Sequence, residues 1–232
     1  MNPTDLRSVA RWCGAGRTQL PAGIAVRGAA IDSRAVQPGD LFFALRGGRC
    51  DGHDFLPEAF RRGAAAAVVE RSPSRLGASV RSRPLLVVAD AEEALVRIAR
   101  SYRPTLSLLA AAVTGSNGKT TTKTLLGALL GTAMKTLVSP RSYNNRLGVS
   151  LTVLALDRSH RAAVFELGMN HPGEIRELGR ICRPAAGAIL NVGPAHLGQF
   201  ATLDAIARAK GELIPALFGR RLQPAKDHQT RA

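Results

Sequence analysis

Cysteine, aromatic residues and acidic residues are all scarce in this sequence of 232 residues. The three cysteines, Cys13, Cys50 and Cys182, are odd in number and form no C-x-x-C pair, so neither a disulfide framework nor a zinc site is predicted. No run approaches the roughly 20 apolar residues that span a bilayer, and the N-terminus lacks a signal-peptide core. We therefore expect a cytoplasmic protein with no membrane insertion.

The shortage of acidic residues leaves a large positive charge. Lysine and arginine number 32 against 17 aspartates and glutamates, a formal net charge of +15, which can attract nucleic acid. Aromatic residues make up only 4% of the chain, however, so few side chains are available to stack on bases. We expect no nucleic-acid partner. An anionic small substrate can explain part of the excess, and an arginine-rich coding bias or a missing acidic portion can explain the rest.

Short apolar runs alternate with helical patterns and divide the sequence near Pro104 into two α/β segments. In the first segment, 1–104, we predict strands over 24–31, 40–45, 64–69 and 85–89, and helices over 57–62 and after Asp90. In the second, 105–218, we predict strands over 106–113, 151–156, 162–167 and 185–192, and helices over 120–131, 173–181 and 202–214. This pattern indicates mainly parallel sheets covered by helices. A basic, irregular tail follows over 219–232, and we expect the chain to stop inside its second domain.

A glycine-rich run lies between a predicted strand and a predicted helix. Its residues are Gly115, Ser116, Asn117, Gly118, Lys119, Thr120 and Thr121, here called the phosphate loop (115–121). A helix N-terminus offers unpaired N–H groups and a favourable dipole to phosphate, Lys119 would neutralise the β and γ phosphates, and Thr120 would hold Mg²⁺. Val113 stands where the standard pattern has glycine. An ordinary tight turn is the alternative, but a lysine at a helix start disfavours it.

Polar side chains follow the neighbouring strands. Glu166 ends an apolar run and is predicted to be an oxygen ligand of Mg²⁺ at the carboxyl edge of the sheet, although a solvated carboxylate is the alternative. Asn191 and His196 follow the next predicted strand and would arrive at the same edge. Asn144 and Asn145 lie in a polar loop, where they would bind a polar substrate or form an Asx turn.

Several motifs, in order along the chain, together resemble the Mur ligases, the ATP-dependent amide-forming enzymes of peptidoglycan synthesis. They lie at 32–34, 38–45, 51–55, 115–121, 143–148 and 166–174, and the resemblance covers roughly residues 25 to 215. Within this family, the sequence most resembles the branch that adds D-Ala-D-Ala to UDP-N-acetylmuramoyl-tripeptide. It implies a small N-terminal UDP-substrate domain (1–104) and the first part of a P-loop ATPase-type domain (105–218).

The resemblance also implies roles for single residues. Lys119 would contact the γ-phosphate of ATP, Thr120 and Glu166 would hold one Mg²⁺, and His196 would serve a second. Lys210, which by itself would be interpreted as a solvent-facing lysine on a helix, aligns with the lysine that Mur ligases carbamylate to support that second metal site.

Substrate contacts are implied as well. Asn144 and Asn145 would contact the muramoyl-peptide or a nearby phosphate. Asn191 is also expected to bind the substrate. The uridine end would be held by Asp32, Ser33 and Arg34. Two alternatives stay open: a sister Mur ligase that adds a different amino acid, and a truncated, inactive chain that binds the UDP-substrate. At full length we expect a monomer.

Overall fold

The computed structural model describes residues 1–16, 20–48, 50–71, 73–194, 200 and 202–217. The tail predicted at 219–232 lies outside these residues. The first part of the chain contains a small antiparallel sheet, β1 (Thr4–Asp5) and β2 (Ala25–Val26), and a parallel sheet, in the order β3 (Gly28–Ala30), β4 (Asp40–Phe43), β5 (Ala66–Val69), β6 (Leu85–Val87). Its helices are α1 (Leu6–Cys13), α2 (Leu56–Arg61), α3 (Ala78–Arg81) and α4 (Ala91–Tyr102).

The second part contains another parallel sheet of four strands. In sequence order its elements are β7 (Leu109–Thr114), α5 (Lys119–Gly131), β8 (Thr136–Val138), α6 (Arg146–Ala155), β9 (Ala162–Glu166), α7 (Glu174–Cys182), β10 (Ala186–Ile189), α8 (Leu203–Gly211) and α9 (Leu213–Leu217). The strands lie side by side in the order β10-β7-β9-β8, all parallel. This arrangement confirms the predicted α/β class with parallel sheets.

The strands and helices follow from local sequence. In β9 all five residues are buried, as expected for a parallel strand covered on both faces. Helix α4 begins after Asp90, as predicted, and the Asp90 carboxylate caps it by accepting a hydrogen bond from the Glu93 N–H at 2.9 Å. A 3₁₀ turn at Arg103–Thr105 ends this helix, because Pro104 cannot continue it.

One prediction about local structure was wrong, and helices α1, α3 and α6 were not predicted. The strand expected over 151–156 is the last part of α6 and the residue after it, and the true strand, β8, is a three-residue run earlier in the chain. The helix forms because the Asn145 side chain accepts a hydrogen bond from the Gly148 N–H at 2.9 Å and so caps it. Helix α1 went unpredicted, although Asp5 caps it and its buried residues are helically spaced.

A continuous hydrophobic core joins the two parallel sheets, with residues from both in one cluster. Helix α4 of the first part packs against α6 and α7 of the second. Buried polar groups reinforce this contact: the Tyr102 hydroxyl donates to the Leu156 carbonyl at 2.8 Å, and the Arg103 guanidinium donates to the Cys182 carbonyl at 2.8 Å. The two sheets therefore share their packing, although among the described residues no strand of one pairs with a strand of the other.

Helix α5 exposes two of its leucines. Leu125 and Leu129 of α5 are 66% and 69% exposed, and the buried residues of this helix are instead Lys123 and Gly127. The helix predicted over 120–131 is present, and the spacing of its leucines does not identify the buried face. None of the helices in the described part of the chain combines the length and hydropathy needed to cross a bilayer.

Candidate functional site

The phosphate loop connects β7 to α5, the geometry that its sequence predicts. Gly118 adopts a left-handed backbone conformation, with a φ of 79°, immediately before the first helical residue. Gly115 is needed for a close approach, because a Cβ there would lie 3.0 Å from the Leu190 Cβ. The loop thus places the unpaired N–H groups of a helix N-terminus at the carboxyl end of a parallel strand, where phosphate groups bind.

Lys119 is the first residue of α5 and folds back over this loop. Its ammonium donates to the Gly115 carbonyl at 2.7 Å and to the Ser116 carbonyl at 3.3 Å. Both acceptors belong to the loop itself, so the charge lies beside the N–H groups that would hold a phosphate.

Asn191 braces the other side of the phosphate loop. Its side-chain oxygen accepts from the Asn117 N–H at 3.0 Å, and its side-chain nitrogen donates to the Asn117 carbonyl at 3.2 Å. The Ser116 hydroxyl exchanges hydrogen bonds with the backbone of Gly193 at 3.1 Å and 2.9 Å. The segment after β10 therefore holds the loop in shape. Because both polar groups of Asn191 are used in this way, its contact with a substrate stays a prediction.

Glu166 lies at the carboxyl end of β9, directly beside the phosphate loop. Its Oε2 accepts from the Thr120 hydroxyl at 2.9 Å and pairs with the Lys123 ammonium at 3.0 Å, while its Oε1 accepts from the Asn144 side-chain amide at 3.0 Å. The side chain is 3% exposed, which contradicts the alternative of a solvated carboxylate.

The charge state of Glu166 follows from these partners. Burial acts to raise its pKa, but the hydrogen bonds from Lys123, Asn144 and Thr120 outweigh burial and leave the pKa below its usual value. Glu166 is therefore ionised near neutral pH.

The two asparagines have different positions. Asn144 reaches Glu166, and its carbonyl accepts from the Gly168 N–H at 2.8 Å. Asn145 caps α6, so its side chain makes a local backbone contact, in line with the alternative to substrate binding given above. Both residues also line a cavity of about 450 Å³ together with Gly115, Lys119 and Lys210.

Lys210 lies on α8 and is buried, so its interpretation as a solvent-facing lysine was wrong. Burial and, as the smaller cause, the nearby charge of Lys119 together lower the pKa of its ammonium to about 8. Such a lysine has a larger neutral, nucleophilic fraction near pH 7 than an exposed lysine.

The remaining candidates lie elsewhere. His196 falls in 195–199, outside the described residues, and among the residues that are described no three His, Cys, Asp or Glu side chains group as metal ligands. Asp32 and Arg34 lie in the turn after β3, 2.7 Å apart, and the hydrogen bond from Arg34 lowers the pKa of Asp32 to about 2. The neighbouring Ser33 donates to Glu58 at 2.8 Å. These three residues do not line the cavity beside the phosphate loop.

Sequence reasoning missed two residues of the site. Lys123 pairs with Glu166, and the available signal was its position one helical turn after Lys119. Arg146, at the start of α6, forms ion pairs with Glu93 at 2.6 Å and Glu177 at 3.0 Å. It thereby joins α4 to α7 beside the cavity. No motif marked this arginine.

A parallel sheet with a glycine-rich loop and lysine at a helix N-terminus, and a carboxylate on the adjacent strand end, defines a P-loop nucleotide-binding protein. The family model described as "Mur ligase family, catalytic domain" matches residues 25–113, and the "Mur ligase middle domain" model matches residues 113–221. The chain belongs to the Mur ligase family.

Named relatives agree with this membership. The UDP-N-acetylmuramoyl-tripeptide--D-alanyl-D-alanine ligase of Bacillus subtilis is 38% identical over 192 residues, which are 83% of this chain and 41% of the relative. A crystal structure of MurF from Acinetobacter baumannii has a TM-score of 0.81 at 36% identity, covering 94% of this chain and 47% of that one. MurF from Thermotoga maritima in complex with ADP has a TM-score of 0.71 at 34% identity, covering 82% and 43%. The chain thus spans less than half the length of these relatives.

Proposed function

We propose that this chain forms the ATP-binding and UDP-substrate-binding part of a ligase that adds D-Ala-D-Ala to UDP-N-acetylmuramoyl-tripeptide in cytoplasmic peptidoglycan synthesis. The observation that carries the proposal is the contact between the Thr120 hydroxyl of the phosphate loop and the Glu166 carboxylate, 2.9 Å apart beside a cavity. The relatives that bear this activity in their names support the choice of substrates.

In the proposed reaction, a terminal carboxylate oxygen of the tripeptide attacks the γ-phosphorus of ATP. The bond from that phosphorus to the bridging oxygen breaks, which releases ADP and leaves an acyl phosphate. The amine of D-Ala-D-Ala then attacks the acyl carbon, phosphate leaves, and the nitrogen loses a proton to give the amide. Lys119 and the loop N–H groups would stabilise the negative charge of the transferring phosphoryl group.

The residues present fit a divalent cation. A carboxylate accepts about four hydrogen bonds, and Glu166 uses three, two on Oε2 and one on Oε1, so one acceptor position remains on Oε1. Thr120 and Glu166 would hold one Mg²⁺, and Lys210 and His196 would serve a second. Such ions would supply charge neutralisation for the phosphoryl group.

The state of Lys210 supports its proposed carbamylation. With a pKa of about 8, part of the side chain is a neutral amine near pH 7, and this amine can attack CO₂ and lose a proton to form a carbamate. The product is an anionic oxygen donor in place of a buried ammonium. It would relieve the repulsion between Lys210 and Lys119.

The two parts of the chain have different proposed roles. We assign UDP-substrate binding to 1–104, with Asp32, Ser33 and Arg34 at the uridine end, and ATP binding to 105–218. Asn144, Asn145 and Asn191 would contact the muramoyl-peptide or a nearby phosphate. The full-length enzyme would act as a monomer.

ADP release from chain 1–232 tests the proposal, with Mg-ATP, UDP-N-acetylmuramoyl-tripeptide, D-Ala-D-Ala and bicarbonate present. Release above that of Lys119→Ala, with Lys135→Ala as a control at an exposed lysine, supports catalysis by this part. Binding of the UDP-tripeptide without ADP release supports a binding role only. Amide formation with meso-diaminopimelate or L-lysine, and none with D-Ala-D-Ala, supports the sister ligase. If the chain binds neither ATP nor the UDP-substrate, the proposal is contradicted.

A further inference from the structure

Lys123 is a buried cation in a position that the proposed reaction does not use. It lies on α5 four residues after Lys119, so the two lysines project from successive turns of one helix face. Its side chain is 3% exposed. Lysine is almost never buried to this extent unless it is paired, so its partners determine what it does.

The Lys123 ammonium has two partners on different segments. It pairs with Oε2 of Glu166 at 3.0 Å and donates a hydrogen bond to the Arg141 carbonyl. Arg141 has a φ of 40°, in the left-handed region that few residues other than glycine adopt. Lys123 therefore holds the carbonyl of a strained residue at the start of the asparagine loop (141–145).

The asparagine loop is held at its other end by the same carboxylate. The Asn144 amide donates to Oε1 of Glu166 at 3.0 Å, and the Asn144 carbonyl accepts from the Gly168 N–H at 2.8 Å. A Cβ at Gly168 would lie 2.9 Å from the Asn144 Cγ, so a side chain there would displace the Asn144 amide. Lys123, Glu166 and Asn144 thus form one chain of contacts from α5 through the end of β9 to this loop.

We propose that Lys123 is a positioning residue, which fixes the Glu166 carboxylate and holds the asparagine loop against the phosphate loop. It acts through Glu166 and Asn144, without contacting the substrate itself. The inference rests on the proposed function, because the carboxylate it fixes is the proposed Mg²⁺ ligand and the loop it holds is a proposed substrate contact. A lysine is suited to this task, since a single ammonium has three donors that reach separate acceptors.

The test compares wild-type chain 1–232 with Lys123→Met, Lys123→Arg and, as a control at an exposed lysine, Lys135→Met. Amide hydrogen exchange of the ligand-free proteins reports on the asparagine loop. We expect faster exchange at the amides of Gly148 and Gly168 in Lys123→Met, partial recovery in Lys123→Arg, and wild-type exchange in the control. Lys123→Gln, which is neutral but keeps a donor, provides a second variant if Lys123→Met does not fold.

The second measurement is ADP affinity with and without Mg²⁺. In Lys123→Met we expect the gain in affinity from Mg²⁺ to fall by about 10- to 100-fold, as is typical when a partner of a metal ligand is lost. Metal-free affinity, which depends on Lys119 and the loop N–H groups, should not change.

Two results would overturn the proposal. One is unchanged exchange and an unchanged Mg²⁺ effect in Lys123→Met; the other is equal disruption in Lys123→Arg and Lys123→Met, which indicates that only packing matters. If wild-type protein binds no ADP, the proposed function fails, while the exchange comparison still decides whether Lys123 positions the loop.

Discussion

Replacing Lys210 with methionine should stabilise the ligand-free fold, although it removes a proposed functional group. The pKa of Lys210 is lowered from 10.5 to about 8. At about 1.4 kcal/mol per pKa unit, burying this ammonium costs the folded state about 3 kcal/mol. Methionine has similar length and no charge, so Lys210→Met should recover most of that free energy of unfolding near neutral pH.

The pH dependence identifies the cause. Below pH 8 Lys210 is protonated in both the folded and the unfolded chain, so the full cost applies. Between pH 8 and 10.5 the folded chain loses the proton first, the cost declines, and above 10.5 it is gone. The advantage of Lys210→Met should therefore fall from about 3 kcal/mol near pH 7 to about 1 kcal/mol near pH 9.5.

Urea denaturation in bicarbonate-free buffer measures this difference. Wild type, Lys210→Met and Lys135→Met are compared at both pH values, the last as an exposed lysine whose replacement should have a small effect at either pH. The reasoning is refuted if Lys210→Met is less stable than wild type near pH 7. An advantage that does not change between the two pH values would refute it equally, because the stabilisation would then not come from the proton.

Two further tests concern packing around the site. Gly127→Ala should destabilise the chain by about 1–3 kcal/mol, since its Cβ would lie 2.2 Å from Val138 Cγ2. Gly131→Ala on the same helix meets nothing within 4 Å and should be neutral or stabilising by up to about 0.5 kcal/mol; equal melting temperatures for the pair would contradict the packing. Tyr102→Phe leaves the buried Leu156 carbonyl without its donor and should cost about 1–3 kcal/mol in urea unfolding, whereas an unchanged midpoint would show that this hydrogen bond contributes nothing.

The parts of the fold that sequence predicted are those with long, regular signals. Strands β7 and β9 are uninterrupted apolar runs, and the phosphate loop carries its chemistry in adjacent residues. By contrast, a short apolar run such as 151–156 fits a strand and a buried helix equally well. The Asn145 cap begins a helix here. The sequence did not reveal this cap, because asparagine is equally common in turns, helix caps and ligand contacts.

The site shows the same limit. Glu166 was predictable because strand ends collect at one edge of a parallel sheet, whichever helices surround them. Burial of Lys123 and Lys210 was not, since a lysine on a helix is exposed unless tertiary contacts bury it, and these contacts come from segments 18 or more residues away for Lys123. The leucines of α5 show the same effect from the other side. They recur at helical spacing, but the spacing alone does not say which face of a helix meets the sheet.

The core shared by the two sheets has a consequence for motion. Pro104 separates the sheets in sequence, yet Tyr102 and Arg103 are hydrogen-bonded across that boundary, and α4 is packed on α6 and α7. A cut at this position would open a hydrophobic surface in both halves, so the two should melt in one cooperative transition. The turn after β3 and the phosphate loop should then move together. If one substrate contacts both, as proposed, the constant distance between them would set the length of substrate that fits.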